Sequence, residues 1–140
     1  MIDYKMGVLA IDFGLKRIGI AVSDEVGIAS HPLKMVINDS KEHYFDEIVR
    51  IIEERQPELV LVGLPIKNDG RLSIQDDIEN FAKKLKKLIS VEVKYWNENF
   101  TSKEADEILI EMNVSRKKRK KFQDMLAACL IIDSYIRSQG

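Results

Sequence analysis

A chain of 140 residues with 22 Lys plus Arg against 23 Asp plus Glu has a formal net charge of −1, and with 45% hydrophobic and 32% charged residues it is globular rather than disordered. A length of this size predicts one domain over residues 1–140, and the lone Cys129 excludes an intramolecular disulfide and a cysteine-based zinc site. The longest apolar run, at 125–132, falls well short of the ~20 residues a membrane span needs, and the N-terminal stretch does not read as a signal peptide, so a cytoplasmic protein with no membrane partner is expected. The first forty residues are β-rich. GVLAIDF at 7–13 and RIGIAVS at 17–23 are short β-branched runs separated by Gly14, Leu15 and Lys16, which predicts a hairpin, and a third strand is expected over Leu33–Ile37. The period then changes. Tyr44, Phe45, Ile48, Val49, Ile51 and Ile52 recur at helical spacing after the cap candidates Asp39 and Ser40, and Pro57 marks the exit. ELVLVG at 58–63 has the continuous apolar pattern of a strand covered on both faces. Ser73 can cap a second helix whose stripe is Ile74, Ile78, Phe81, Ala82, Leu85, Leu88 and Ile89. VEVKYW at 91–96 alternates as a last strand, and Thr101 with Glu104 forms a capping box for a third helix carrying Ala105, Ile108, Leu109 and Met112. A final helix is predicted from about Phe122 to Ile136.

The order β-β-β-α-β-α-β-α-α predicts an α/β fold with a mixed five-stranded sheet: three antiparallel strands, then two parallel ones placed by right-handed crossovers. Asp12 is the first chemical anomaly, because it shares a strand face with Val8 and Ala10 in a row otherwise fit for burial. It could instead simply start the Gly14 turn. Glu98 directly follows the last predicted strand, and parallel strands bring their carboxyl ends to one edge of the sheet, where ligands bind in open α/β folds. Asp124 is expected in the first turn of the last helix, where the dipole favours an acid, with Ala127 and Ala128 on its own face. Were the three acids to converge, their repulsion would call for a cation, and oxygen ligands favour Mg²⁺ or Mn²⁺. Two such ions suit phosphodiester hydrolysis.

Four blocks, LAIDFGLKRIGIAVSD at 9–24, VGLPIKNDG at 62–70, NENFTSKEA at 97–105 and DMLAACLIIDSYI at 124–136, together resemble the YqgF family. That family comprises pre-16S rRNA nucleases, also described as Holliday junction resolvase-like proteins. The resemblance spans nearly the whole chain and implies a ribonuclease H-like fold. Its first block is the most specific, with Asp12, Gly14, Arg17, Gly19, Ser23 and Asp24 at the family's spacing. The resemblance implies that Asp12, Glu98 and Asp124 form the catalytic, metal-holding triad and that Arg17 contacts substrate. One block departs from the pattern: Asn97, Glu98 and Asn99 stand where the family usually reads Asp-Glu-Arg, so the charged fork that would grip a phosphate is missing there.

Lys117, Lys118, Arg119, Lys120 and Lys121, in the run RKKRKK at 116–121, are candidate phosphate contacts that precede Asp124; the alternative is a solvated linker between helices. Lys83, Lys84, Lys86 and Lys87 are better explained by a helix C-terminus. The loop bracketed by Gly63, Leu64, Pro65, Asp69 and Gly70 could touch substrate or only turn the chain. His31, His43 and Trp96 read as structural, Thr101 as an N-cap, and Ser23 has no adjacent base.

The function these residues and the resemblance predict is metal-dependent cleavage of structured nucleic acid, with the 5′ end of pre-16S rRNA as the expected target. Branched DNA is the alternative, and would need a homodimer presenting two sites; the sequence is compatible with a monomer or a homodimer. A non-catalytic RNA-binding or ribosome-assembly module is a further reading. An actin-like phosphotransferase is argued against by length, since that architecture needs two such domains.

Overall fold

The computed structural model describes residues 7–24, 29–39, 43–65, 73–98 and 101–139, with the side chains at 65, 73, 98, 101–104, 120 and 121 outside that description. In chain order the elements are β1 (Val8–Asp12), β2 (Arg17–Ser23), β3 (Ser30–Ile37), α1 (His43–Arg55), β4 (Leu59–Pro65), α2 (Ser73–Leu88), β5 (Glu92–Glu98), α3 (Thr101–Glu111) and α4 (Arg116–Gln139). The sheet order is β3-β2-β1-β4-β5, with β1, β2 and β3 antiparallel and β4 and β5 parallel to β1. This is the mixed sheet that the alternation of β-rich and helical segments predicts.

Strand alternation divides the core in two. Leu9, Ile11, Ile18, Ile20, Val22, Val60 and Val62 face Phe45, Ile48 and Ile52 of α1 and Ile78, Phe81 and Leu85 of α2. The opposite face carries smaller residues on its central strands, Ala10 and Ala21 with Leu59 and Leu61, and these meet Ala128, Cys129, Ile131 and Ile132 of α4. Small side chains on both sides let α4 lie close to the sheet.

Several boundaries differ from the sequence expectation, each for a local reason. Strand β3 begins at Ser30 rather than Leu33. Pro32 is tolerated because β3 is an edge strand, and the β2–β3 register shifts between Ile20 and Ala21, next to the pair Ala21–Pro32. Strands β4 and β5 each run two residues further than predicted, to Pro65 and Glu98. The β1–β4 ladder ends at Ile11–Val62, so Pro65 pairs only with β5 and no β1 carbonyl is deprived of a donor.

The largest correction concerns α4, which starts at Arg116 and not near Phe122, so RKKRKK forms its first turns and is not a linker. Helix α3 stops in a Schellman arrangement: Asn113 has φ +58°, its N–H donates to Ile110 O at 2.9 Å, and the Val114 N–H donates to Leu109 O at 3.0 Å. Ser115 then caps α4, its Oγ accepting from Lys118 N–H at 3.4 Å. Arg119 ties the two helices, with Nε 3.2 Å from Asp106 Oδ1 and Nη1 donating to Val114 O at 3.1 Å.

Candidate nuclease site

Asp12 closes β1 with 7% of its surface exposed, on the α4 side of the sheet, and its partner across the β1–β2 ladder is Gly19. Helix α4 passes close over Gly19. A Cβ at position 19 would overlap the carbonyl of Asp124 and lie 2.6 Å from Met125 N, so helix backbone occupies the space a side chain would need. Strand pairing and helix contact together bring Asp12 and Asp124 to one place on one face, although they are far apart in sequence.

Asp124 lies in the third turn of α4 and not the first, so the helix dipole does not explain it. Arg17, two residues before Gly19 on the same strand face, donates Nε to Asp124 Oδ2 at 2.9 Å, with side chains 35% and 17% exposed. The pair is half-sheltered. At the other end of this hairpin, Gly14 is required because a Cβ there would overlap the carbonyl oxygen of Arg17, and Asn38 Nδ2 donates to Gly14 O at 3.1 Å.

Glu98 is the last residue of β5, paired with Pro65, on the strand itself and not after it. By alternation it falls in the row of Lys94 and Trp96, and Trp96 packs in the α4-side cluster. The side chain of Glu98 lies outside the described residues, as do Asn99, Asp69 and Gly70. Among the described residues the site therefore offers two carboxylates, Asp12 and Asp124. An all-oxygen donor pair suits a hard divalent cation, and the Arg17 guanidinium at Asp124 occupies one of those donors. His31 and His43, the two histidines, stay outside it: both are exposed, and His43 Nδ1 lies 3.6 Å from Asp39 Oδ2.

The basic residues divide by role. Lys117 and Lys118 are exposed at the start of α4, while Arg119 is engaged with Asp106 and Val114. Lys120 and Lys121 come next on the same helix, with side chains outside the description. A cleft of about 350 Å³ between α3 and α4 is lined by Asp106, Arg116, Arg119 and Gln123. At 1.5 Å per residue, Arg116 precedes Asp124 by roughly 12 Å along the helix axis. Trp96 is structural, as expected: its Nε1 donates to Ser134 Oγ at 3.1 Å and its ring meets Tyr135 edge-on at 5.2 Å. Ser23 is too, with its buried Oγ accepting from Val8 N–H at 2.9 Å. Lys84 and Lys86 sit over the rings of Phe45 and Tyr95 at 4.6 and 5.3 Å. Gly19 mattered more than its place in a motif implied, and the available signal was a glycine inside an otherwise β-branched strand.

The model of the family described as RuvX, Holliday junction resolvase, matches residues 6–138. The chain belongs to that family. Two curated relatives carry the name "Putative pre-16S rRNA nuclease". The one from Halothermothrix orenii is 34% identical over 136 residues, covering 96% of this chain and 97% of the relative. The one from Desulforudis audaxviator is 36% identical over 135 residues, covering 96% of each. Among solved structures, Fowlpox virus resolvase with Holliday junction DNA has a TM-score of 0.61 at 16% identity, covering 94% of this chain and 97% of that one. RuvC of T. thermophilus with a Holliday junction substrate gives a TM-score of 0.57 at 15% identity, covering 94% of each chain. The fold of this RuvX-family member is thus the ribonuclease H-like one shared with the resolvases.

Proposed function

We infer that this RuvX-family chain is a metal-dependent nuclease hydrolysing phosphodiester bonds in structured nucleic acid, and that its substrate is precursor 16S rRNA. The observation that carries the reading is the juxtaposition of Asp12 and Asp124 through Gly19 at one end of the sheet, in a chain whose curated relatives bear the pre-16S rRNA nuclease name. Asp12, Glu98 and Asp124 would hold Mg²⁺ or Mn²⁺, with two ions engaged when substrate is present. Such an ion, when bound, lowers the pKa of a water and neutralises charge on the phosphoryl group. The protein's own part is positional. Asp12, held at the end of a buried strand, and Asp124, fixed against β2, present carboxylate oxygens from two rigid elements. Arg17 stands where a phosphate oxygen could accept its fork of N–H groups. Lys117, Lys118, Lys120 and Lys121 draw the nucleic-acid backbone along α4 toward the acids, and Arg119 holds α4 to α3 while lining the adjoining cleft.

A second reading, resolution of branched DNA, is favoured by the likeness to two resolvases in complex with junction DNA. Symmetric cleavage would require two copies of the chain, each giving one site. A cytoplasmic enzyme of one domain is consistent with either substrate, and among the described residues no helix is long and apolar enough to cross a membrane.

The deciding experiment incubates purified protein with precursor 16S rRNA and with a four-way DNA junction, in Mn²⁺ or EDTA, alongside Asp12→Asn. Cleavage of the RNA that needs Mn²⁺ and falls at least a hundredfold in the variant is the expected result. Full activity of Asp12→Asn, or cleavage in EDTA, would remove the acids from the chemistry. Cleavage of the junction alone would transfer the function to DNA.

A further inference from the structure

The ion pair between Arg17 and Asp124 joins residues 107 positions apart and occupies both groups at once. Among the described residues Asp124 is one of two carboxylates brought together at this end of the sheet, and its backbone is pinned against Gly19, directly across the ladder from Asp12. Arg17 is therefore a resident cation among the acids. It is also the first residue of β2, directly after the exposed Leu15 and Lys16, so its side chain starts at the rim of the sheet with solvent on one side. A guanidinium fork fits a carboxylate and a phosphodiester equally well. Asp124 in turn can serve Arg17 or a divalent cation, but serving both crowds two positive groups on one acid.

We propose that Arg17 exchanges Asp124 for a phosphodiester of the nucleic acid as a divalent cation engages Asp124, so that cation and substrate each open the other's place. The proposal rests on the metal-dependent reading above and adds an order to it. Without a cation, Asp124 sequesters the arginine and weakens phosphate binding. Without nucleic acid, the arginine opposes the cation. When both arrive, each released partner has a new one, and by linkage the two affinities rise by the same factor. The exchange breaks one charge-assisted hydrogen bond and forms another of the same kind, with no net change in bonds or protons.

The test measures Mn²⁺ binding from the free-ion electron paramagnetic resonance signal, with and without a double-stranded RNA oligonucleotide confirmed intact on a gel. In the wild-type chain RNA should tighten Mn²⁺ binding by about tenfold, within the usual range of coupling between two sites. Arg17→Gln should bind Mn²⁺ more tightly than wild type in the absence of RNA and show less than about a twofold effect of RNA, because the linkage is gone. Arg17→Lys keeps the charge and should retain the wild type's weak binding to the free protein. A second arm, in EDTA, does not depend on how the Arg17 variants fold. Asp124→Asn releases the arginine and should tighten RNA binding severalfold more than Asp12→Asn, which removes the same charge without releasing it. Equal RNA binding by these two variants in EDTA, or wild-type Mn²⁺ behaviour in Arg17→Gln, overturns the exchange while leaving the nuclease reading intact. Failure of the wild-type chain to bind Mn²⁺ at all overturns both.

Discussion

Gly19→Ala tests the contact on which the site depends. The added Cβ would overlap the Asp124 carbonyl and sit 2.6 Å from Met125 N, where real Cβ atoms keep at least 3.0 Å, and both obstacles are backbone. Strand β2 cannot yield easily, since it is laddered to β1 on one side and β3 on the other. Helix α4 must therefore withdraw by roughly 1 Å at this point, against the packing of Ala128, Cys129, Ile131 and Ile132 on Ala10, Ala21, Leu59 and Leu61. Overpacking of a tight interface costs ~1–3 kcal/mol, and with backbone as the obstacle the upper end applies. For a domain of this size that lowers Tm by on the order of 10 °C.

Activity should suffer more than stability. A shift of about 1 Å between reacting groups can cost on the order of a hundredfold in rate, and the withdrawal separates Asp124 from Asp12 directly. Urea denaturation gives the stability change and single-turnover cleavage gives the rate. The lone Trp96, hydrogen-bonded to Ser134 of α4, reports by its fluorescence whether the helix has moved as a whole. A variant with unchanged Tm and a rate within about twofold of wild type would refute the claim that helix–strand contact at Gly19 sets the acid geometry.

Replacing Lys117 and Lys118 by Gln should weaken RNA binding and lower the salt slope by ~0.7 to 0.9 per lost phosphate contact, while raising stability by about 0.3 to 1 kcal/mol per residue, because cations oppose the dipole at a helix N-terminus. Salt-titrated binding and thermal melts of the same protein check both signs, and loss of stability with the charge would contradict the reasoning. Burial pushes the Cys129 thiol up to about 11 from an ordinary 9.0, with the Ser30 hydrogen bond opposing and Asp133 adding to the rise. Between pH 9.0 and about 11 the unfolded chain releases this proton and the folded one keeps it, so stability falls as pH rises through that window. Cys129→Ala should flatten the fall in urea midpoints over the same range, and an unchanged pH profile would assign the loss to other groups.

Much of this architecture was legible because period and punctuation agree. The strand runs at 7–13, 17–23, 58–63 and 91–96 and the stripes of α1 and α2 all emerge within two or three residues of their final bounds. The start of α4 did not, because six consecutive cations oppose the helix dipole and read as a solvated run. The overlooked signals were Asn113, which takes the left-handed stop after α3, and Ser115, which caps the N-terminus of α4. Asp12 announced itself as a carboxylate in a row fit for burial. The Arg17–Asp124 pair and the Arg119–Asp106 clamp left no local trace, since each depends on how separate elements dock.

The division of labour along α4 explains why an unfavourable helix start can persist. Residues 127–132 supply the burial, with Ala127, Ala128, Ile131 and Ile132 fully enclosed and Cys129 nearly so. Further on, Asp133 accepts from Ser30 Oγ at 2.8 Å and Ser134 accepts from Trp96, fixing the helix to both β3 and β5. Helix propagation then extends order toward the N-terminus at about one hydrogen bond per residue, once the costly nucleus is in place. The Ser115 cap and the Arg119–Asp106 clamp finish the task at the other end. The helical backbone at 116–121 can therefore be held in regular geometry while Arg116, Lys117 and Lys118 stay exposed, and its placement is set by helix rise relative to Asp124. A flexible loop could carry the same charge, but it could not keep that charge at a fixed distance from the acids. If the run tracks a nucleic-acid backbone, as proposed, that fixed distance keeps the bound phosphates in register with the acids.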